Sequence, residues 1–512
     1  MKVKSIFMSM LAVAALASCN NDDEAIPSGG IDSNGQKAYM ALSVVLPNAQ
    51  TTRADFGGGS DQPGDREEQE VTSMLLVMFD NNDICLDTKT LGTGEYELTV
   101  GTTTTAEDDW NAILVNAETK KILTVINPTD AFSAACQKGV SWSVINSAKE
   151  QTATDIASDN KFMMINAGDN ANPANGALVV AKVKIADGTV IADATAAKEA
   201  AKADPSEVHV DRVASKITLK EKDGGATVAN KAACEFGIWA LNVTNKTMFP
   251  YSEIVMPAGG TAGKDYRIDP NYMLGTFNTS QFNYLKVSNT GVLPADFTTA
   301  ANKYCLENTM DKDAQTDAQT TTAVTQAIYT PEGFTKGDDW FRILGVTYQT
   351  LDDLKAAYNA ADATPQFKTL CDEFYTRMKA APGAAFTSTD FAGLTSAELK
   401  AIPNGGEYSK PVAPQTVGVE YFQKGICYYA ILIRHDEAIK GNMAHGKYGV
   451  VRNNWYALTI NTVSQPGTPW LPDPTNPTDP TDPGKPDDPK EAALGVTITV
   501  NPWTTWSQGV DL

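Results

Sequence analysis

The sequence predicts an all-β protein of two tandem antiparallel β-sandwich domains, with a helical insertion in the second, a proline-rich linker and a separate C-terminal strand. Three observations carry that expectation. From Val71 onward the apolar residues come in short runs such as "VTSMLLVMFD", "YELTV", "KILTVINP" and "LVVAKVKI", β-branched and divided by turn residues. A second series runs from "VHVDRVASKITLKEKD" through "CEFGIWALNVTNKTMFP" and "GICYYAILIRHD" to "NNWYALTINTVSQPG". Strands do not alternate with long amphipathic helices, so parallel βαβ units are not expected. With 512 residues, 42% of them hydrophobic, the chain can fill two cores, placed at 54–214 and 215–464 with the boundary near Ala214.

The first element, residues 1–19, is a targeting segment. "MKVK" gives a positive start, "SIFMSMLAVAAL" an apolar run too short to span a bilayer, and "LASC" an ending that resembles a bacterial lipobox. Lipidation would fall on Cys19, followed by the acidic run "NNDDE"; an ordinary signal peptide ending near a cysteine is the alternative. Residues 20–37 are a polar tether. "AYMALSVVLP" then reads as a strand with Met40, Leu42, Val44 and Leu46 on one face. The loop "NAQTTRADFGGGS" follows, with Arg53 in the kind of polar loop that trypsin-like proteases cut. "DFGGGSDQPGDREEQE" has the composition of an unstructured segment, and "DNND" at Asp80–Asp83 that of a β-turn.

The alanine-rich "DATAAKEAAKAD" suggests a short surface helix. Between 346 and 403 the texture changes: Leu351, Leu354 and Tyr358, then Phe367, Leu370, Phe374 and Met378, recur at helical spacing. Residues 465–490, "QPGTPWLPDPTNPTDPTDPGKPDDPK", are the proline-rich linker. In 491–512 beyond it, Leu494, Val496, Ile498 and Val500 alternate with Gly495, Thr497 and Thr499 as one amphipathic strand.

Net charge of -21 argues strongly against nucleic acid or anionic headgroups as partners. No HExxH, GxSxG, Walker A or strand-following GxGxxG occurs, so no catalytic residue, cofactor or metal is expected. His209, His435 and His445 are scattered, and "DKDAQTD" lacks the glycine and glutamate of a calcium loop. Apart from Cys19, the cysteines Cys85, Cys136, Cys234, Cys305, Cys371 and Cys427 could pair in an oxidising compartment, but no CxxC occurs and four sit in apolar runs, so mostly free, buried thiols are the favoured reading. Trp239 and Trp455 read as core; Trp503 and Trp506 flank the last strand as large anchors.

A lone strand has no stability in water, so the C-terminal one must dock on a sheet of its own chain or of another. A cut between Arg53 and Ala54 would remove the strand at 38–46 and open a strand-shaped slot. Filling it with the tail of a neighbour is donor-strand complementation, and repetition gives an open filament.

The chain resembles the type V fimbrial major subunits of the Bacteroidia, the short-fimbria stalk pilins. The resemblance covers essentially the whole length: lipobox, arginine loop, "KFMMINAG", "VDRVASKITL", "WALNVTNK", "YRIDPN", "YCLENT", "YGVVRNNWYALTI" and "NPWTTWSQGVDL". It implies transthyretin-like sandwiches and a lipoprotein precursor anchored at the outer membrane through Cys19. An arginine-specific, trypsin-like protease would cut at Arg53 and Ala54, and the mature subunit would stand in an extracellular fimbrium. The displaced strand would carry Met40, Leu42, Val44 and Leu46; the donor strand Leu494, Val496, Ile498 and Val500, with Trp503 and Trp506. Partners would be other copies head to tail and accessory tip and anchor subunits. Other readings are a tip or anchor fimbrillin, or a cell-surface glycan-binding lipoprotein.

Overall fold

In a computed structural model of the protein, the described residues are 37–47, 62–100, 103–104, 110–168, 176–186, 191–261, 264–273, 279–287, 292–311, 316, 318–406, 410, 417–440, 444–473 and 493–504. The N-terminal unit contains β1 (Ala38–Met40), β2 (Leu42–Val45), β3 (Met74–Phe79), β4 (Cys85–Leu91), β5 (Glu97–Val100), β6 (Ile113–Val115), β7 (Lys121–Ile126), β8 (Met164–Asn166), β9 (Lys184–Ile185), helix α1 (Ile191–Ala203) and β10 (Ser206–Arg212). Its main sheet has the order β4-β3-β7-β8-β10-β2-β5, and a smaller sheet has the order β9-β1-β6. β3 and β4 meet through the expected turn, where Asp80 Oδ1 accepts the amides of Asn82 and Ile84 at 2.8 and 2.9 Å.

The C-terminal unit contains β11 (Ala214–Glu221), β12 (Ala233–Asn242), β13 (Asn302–Leu306), β14 (Thr322–Thr330), β15 (Trp340–Ile343), β16 (Val346–Tyr348), helices α2 (Leu351–Asn359), α3 (Pro365–Lys379) and α4 (Ser396–Lys400), then β17 (Glu420–Phe422), β18 (Ile426–Leu432), β19 (Asn454–Val463) and β20 (Leu494–Thr504). One sheet runs β13-β11-β19-β20 and ends on Gln62–Pro63; a second runs β12-β14-β18. Ile217, Tyr456, Leu458 and Ile460 from the first meet Ala323, Ala327, Cys427 and Tyr429 from the second in one buried core. Only Val213 separates β10 from β11, so "VDRVASKITL" carries the chain from one unit's sheet into the other's.

Most ladders are antiparallel. The exceptions include β2 with β10, β2 with β5 and β11 with β19, which are parallel. Parallel neighbours need a long return path, and such pairs leave no turn signature in the sequence.

The expected helical insertion stands on a sheet of its own, ordered β16-β15-β17, so it reaches from Trp340 to Phe422 rather than over 346–403 alone. Thr350 and Thr395 cap α2 and α4 in capping boxes with Asp353 and Glu398, and Thr364 with Pro365 opens α3. Leu351, Leu354, Phe367, Leu370, Phe374 and Met378 face one core with Phe341 and Tyr421 from the strands.

Two segments depart from their sequence reading. The linker does not begin at 465: Thr468 and Tyr428 exchange backbone hydrogen bonds, Leu471 N–H donates to Gly405, and Trp470 and Leu471 are buried. Trp470 and Leu471 carry enough apolar surface to hold this stretch on the body despite its prolines. Nor is "DREEQE" unstructured, since Arg66–Glu68 forms a 3-10 turn whose Glu68 is 2% exposed.

Candidate functional site

The segment 38–46 was read as a strand with one apolar face. It is buried on both. Met40, Leu42, Val44 and Leu46 point into the main N-terminal core. Tyr39 and Ala41 point the other way, into a small cluster with Ala112, Leu114, Ala186 and, from α1, Ala197 and Ala201. Those small side chains let α1 lie close over the strand, and Lys198 Nζ sits 5.3 Å from the Tyr39 ring centroid.

The segment is also central rather than marginal. β1 lies between β9 and β6, both antiparallel to it. β2 lies between β10 and β5, both parallel to it, with Val44 opposite Val208 and Leu98. Flanking hydrogen bonds from Ser206 N–H to Ala41 O (2.8 Å) and from Leu46 N–H to Thr99 O (3.0 Å) extend the ladder. Removing the segment would divide two sheets.

The tail lies in its own chain. β20 pairs antiparallel with β19 from Asn454–Pro502 to Val463–Leu494. Leu494, Ile498 and Val500 are buried in the C-terminal core and Val496 packs at its edge, while Gly495, Thr497 and Thr499 are exposed. The expected apolar face is therefore the face in use, on a site that covers one side of the strand only. Gly495 is required by a close approach: a Cβ there would meet Thr462 Oγ1 at 2.3 Å, where the ladder shifts register.

Beyond Val500 the tail crosses to the N-terminal unit. Trp503 is fully buried and belongs to that unit's core. Its ring stacks on Tyr304 with centroids 5.8 Å apart and meets Phe162 edge-on at 5.6 Å. The Arg212 guanidinium lies 4.5 Å from the ring centroid, and Arg212 Nη1 donates to Trp503 O at 2.7 Å. The indole N–H donates to Glu68 Oε2 at 3.0 Å, while Lys216 Nζ, 2.7 Å from Glu68 Oε1, supplies the countercharge. Burial pushes the Arg212 guanidinium down to about 10. Sequence reasoning missed Glu68, Arg212 and Lys216; the only signal was a charged pair of residues, Arg212 and Lys216, inside an otherwise apolar strand pattern.

The motifs quoted from the sequence meet in a second buried cluster where the two units join. Asp211 accepts from Asn453 Nδ2 at 2.8 Å and from Arg267 Nη2 at 3.4 Å. Glu307 accepts from the Arg452 backbone N–H at 3.1 Å and from its Nε at 3.3 Å. Asn245 Nδ2 donates to Asp269 Oδ2 and to Glu307 O.

Burial pushes the Asp269 carboxyl up to about 7 from 3.8, against the amide hydrogen bond from Thr309 and helped by the nearby Glu307 charge. The folded chain holds that proton where the unfolded chain has released it. This stabilisation is complete below the unfolded value and is lost as pH rises through the folded one. Between about pH 5 and about pH 8, denaturation midpoints should therefore fall more with rising pH in the wild type than in Asp269→Asn. Equal slopes in the two proteins would refute this assignment.

Nothing in the described residues gathers chemistry of another kind. His209 bonds Glu207, His435 bonds Tyr456 and His445 bonds Tyr272. No group of three His, Cys, Asp or Glu among the described residues could hold a metal ion. Cys85, Cys136, Cys234, Cys305, Cys371 and Cys427 are free, and all but Cys234 are buried. Trp239 is buried, whereas Trp455 is half-buried, with Lys216 Nζ 4.3 Å from its ring centroid. Cys19, Arg53, Ala54 and Trp506 lie outside the described residues, as does most of "DKDAQTD".

Fold and site together define a class: an all-β, sandwich-like protein whose segment 38–46 is enclosed on both faces and whose last described strand pairs with β19. Residues 420–509, which include β18, β19 and β20, match the family described as major fimbrial subunit protein type IV, fimbrillin, C-terminal. That match covers 90 residues of the C-terminal part, and within it the chain is similar to fimbrial subunits. Similar solved structures include a fimbrilin (fimA) from Porphyromonas gingivalis, at 13% identity and TM-score 0.39, covering 92% of this chain and 99% of that one. The tip fimbrial protein Mfa3 from the same organism, with a C-terminal truncation, is 13% identical with TM-score 0.32, covering 85% of this chain and 95% of that one. A fimbrial assembly protein from Parabacteroides distasonis is 12% identical with TM-score 0.26, covering 57% of this chain and 95% of that one. At these values the three likenesses carry no argument of their own. No curated protein matches the chain.

Proposed function

We propose that the chain is the stalk subunit of a surface fimbria and polymerises by donor-strand exchange. The precursor is lipidated at Cys19 and held at the outer membrane. An arginine-specific protease cuts between Arg53 and Ala54, the segment 38–46 leaves, and the tail of a neighbouring copy takes its place. Accessory tip and anchor subunits complete the fibre, which serves adhesion and biofilm formation.

The observation that carries this reading is the contrast between the two strand sites. Segment 38–46 is enclosed on both faces, whereas β20 at home is covered on one face only. The tail repeats the apolar face of the segment it would replace, four large side chains at alternate positions. "LGVTITV" sets Leu494, Val496, Ile498 and Val500 against Met40, Leu42, Val44 and Leu46, and Gly495, Thr497 and Thr499 against Ala41, Ser43 and Val45. Moving from a one-faced to a two-faced site buries more apolar surface in the same strand, and that difference drives exchange once the slot is empty. Until the cut, the slot is filled and the tail stays home.

The test is limited trypsin digestion of the chain lacking residues 1–19. A new N-terminus at Ala54 and SDS-resistant ladders are expected, with no ladders after deletion from Leu494 onward. Arg53→Ala should leave the chain uncut and monomeric. A cut chain that stays monomeric at every concentration would refute the proposal and leave the glycan-binding reading in its place.

A further inference from the structure

Resting on that reading, we propose that the pocket around Trp503 is a docking site that, in the fibre, receives the Trp503 indole of a second copy of this chain. Its walls are Phe162, Tyr304 and Arg212, its acceptor is Glu68, and Lys216 neutralises that acceptor. The fit is close at Gly64, where a Cβ would meet Glu68 Oε2 at 2.5 Å and the indole nitrogen at 2.7 Å.

The pocket does not tolerate vacancy. Arg212 is fully buried and its Nη2 already lacks a hydrogen-bond partner. Losing Trp503 would also strip Nη1 of its acceptor and Glu68 Oε2 of a donor, and buried charges stripped of partners are costly. Each copy has one pocket and one Trp503. A tail that leaves to serve a neighbour therefore obliges another tail to arrive, and a head-to-tail chain meets that condition at every internal copy.

The slot leads to the pocket. β2 runs parallel to β10, with Leu42 opposite Ser206 and Val45 opposite His209, and β10 ends at Arg212. A donor running in the same direction with Val500 in the place of Leu46 brings Trp503, three residues on, to the Arg212 end of β10. Residues 474–492 connect Asp473 to Ala493, and a chain of that length reaches up to roughly 60 Å, so the covalent tie does not dictate whose tail is used. The wall formed by residues 62–68 lies just downstream of the Arg53 loop, so the cut frees one end of the segment that closes over the indole.

The experiment places the photoreactive residue p-benzoylphenylalanine at position 503 of the full chain, made in light and nitrogen-15-labelled pools. The pools are mixed equally, trimmed, assembled and irradiated. Cross-links from 503 to peptides containing Phe162, Glu68 or Tyr304 are expected, about half of them joining a light to a heavy peptide. In uncut Arg53→Ala chains the same links should join like labels only. A reverse placement at Tyr304 should capture the tail with the same label statistics. Fibres whose links are all like-labelled, or miss the pocket, would overturn this inference and leave the strand exchange standing. If wild-type chains form no fibre, both fall. If both probes block assembly while leaving the uncut monomer folded, the pocket is required for the contact, which supports the inference.

Discussion

A chain that starts at Ala54 and stops before Ala493 should lose the cooperative fold of its N-terminal unit, and a peptide spanning 493–504 added in trans should restore it. Met40, Leu42, Val44 and Leu46 are each at most 1% exposed. At about 1.5–3 kcal/mol per fully buried side chain, their loss removes roughly 6–12 kcal/mol before the broken ladders are considered. That is comparable to the whole stability of a typical domain, about 5–15 kcal/mol. The effect should be graded. The C-terminal core does not include the segment but loses the β20 side chains Leu494, Ile498 and Val500, so β19 should exchange faster while β12 and β14, which do not pair with β20, keep their slow amide exchange. Hydrogen exchange of β5 and β10, the two parallel partners of β2, is the readout: fast in the doubly shortened chain, slow again with peptide. Protection in β5 and β10 that survives the double truncation would mean that the slot closes by itself, and donor exchange would then have no driving force.

What the sequence disclosed follows from the range of each interaction. Alternation along β20 and the helical spacing of Phe367, Leu370, Phe374 and Met378 are local patterns, and each marks the face that is buried. The second buried face of segment 38–46 was hidden because Ala41 and Ser43 are small enough to pass for a solvent face, while the cover of Tyr39 and Ala41 comes from α1 and β6 far along the chain. Glu68 was hidden for the same reason. Its partners Tyr304 and Trp503 lie 236 and 435 residues away, so local composition could only report a charged turn. The proline count of 465–473 likewise said nothing of the bonds that Thr468 and Leu471 make to Tyr428 and Gly405. Motifs such as "YRIDPN" and "VVRNNWY" carried a resemblance before they marked a place; the structure brings them together in one buried cluster.

That join should be the most sensitive place in the C-terminal unit. Arg452→Ala and Glu307→Ala should each lower stability by about 3–5 kcal/mol, because each leaves a buried charge without its partner. Both side chains are 1% exposed. Arg452 carries more than the ion pair: its Nη1 and Nη2 donate to the carbonyls of Pro250 and Phe249, the latter at 2.7 Å, so its loss also orphans two backbone acceptors. Glu307 receives both the Arg452 backbone N–H and its Nε, so Glu307→Gln, which retains one acceptor, should cost less than Glu307→Ala. The double variant Arg452→Ala with Glu307→Ala should cost clearly less than the two single losses combined, since neither charge is then left alone. Denaturant titration of the four proteins measures this coupling directly. Additive losses would show that the two side chains act independently and that the charge pair is incidental to the join. Strong coupling would instead identify "YCLENT" and "VVRNNWY" as two halves of one buried clamp. The clamp ties β13 to the start of β19, the strand that β20 must leave for the tail to be donated. A rigid β19 keeps that home sheet in register when its outer strand leaves.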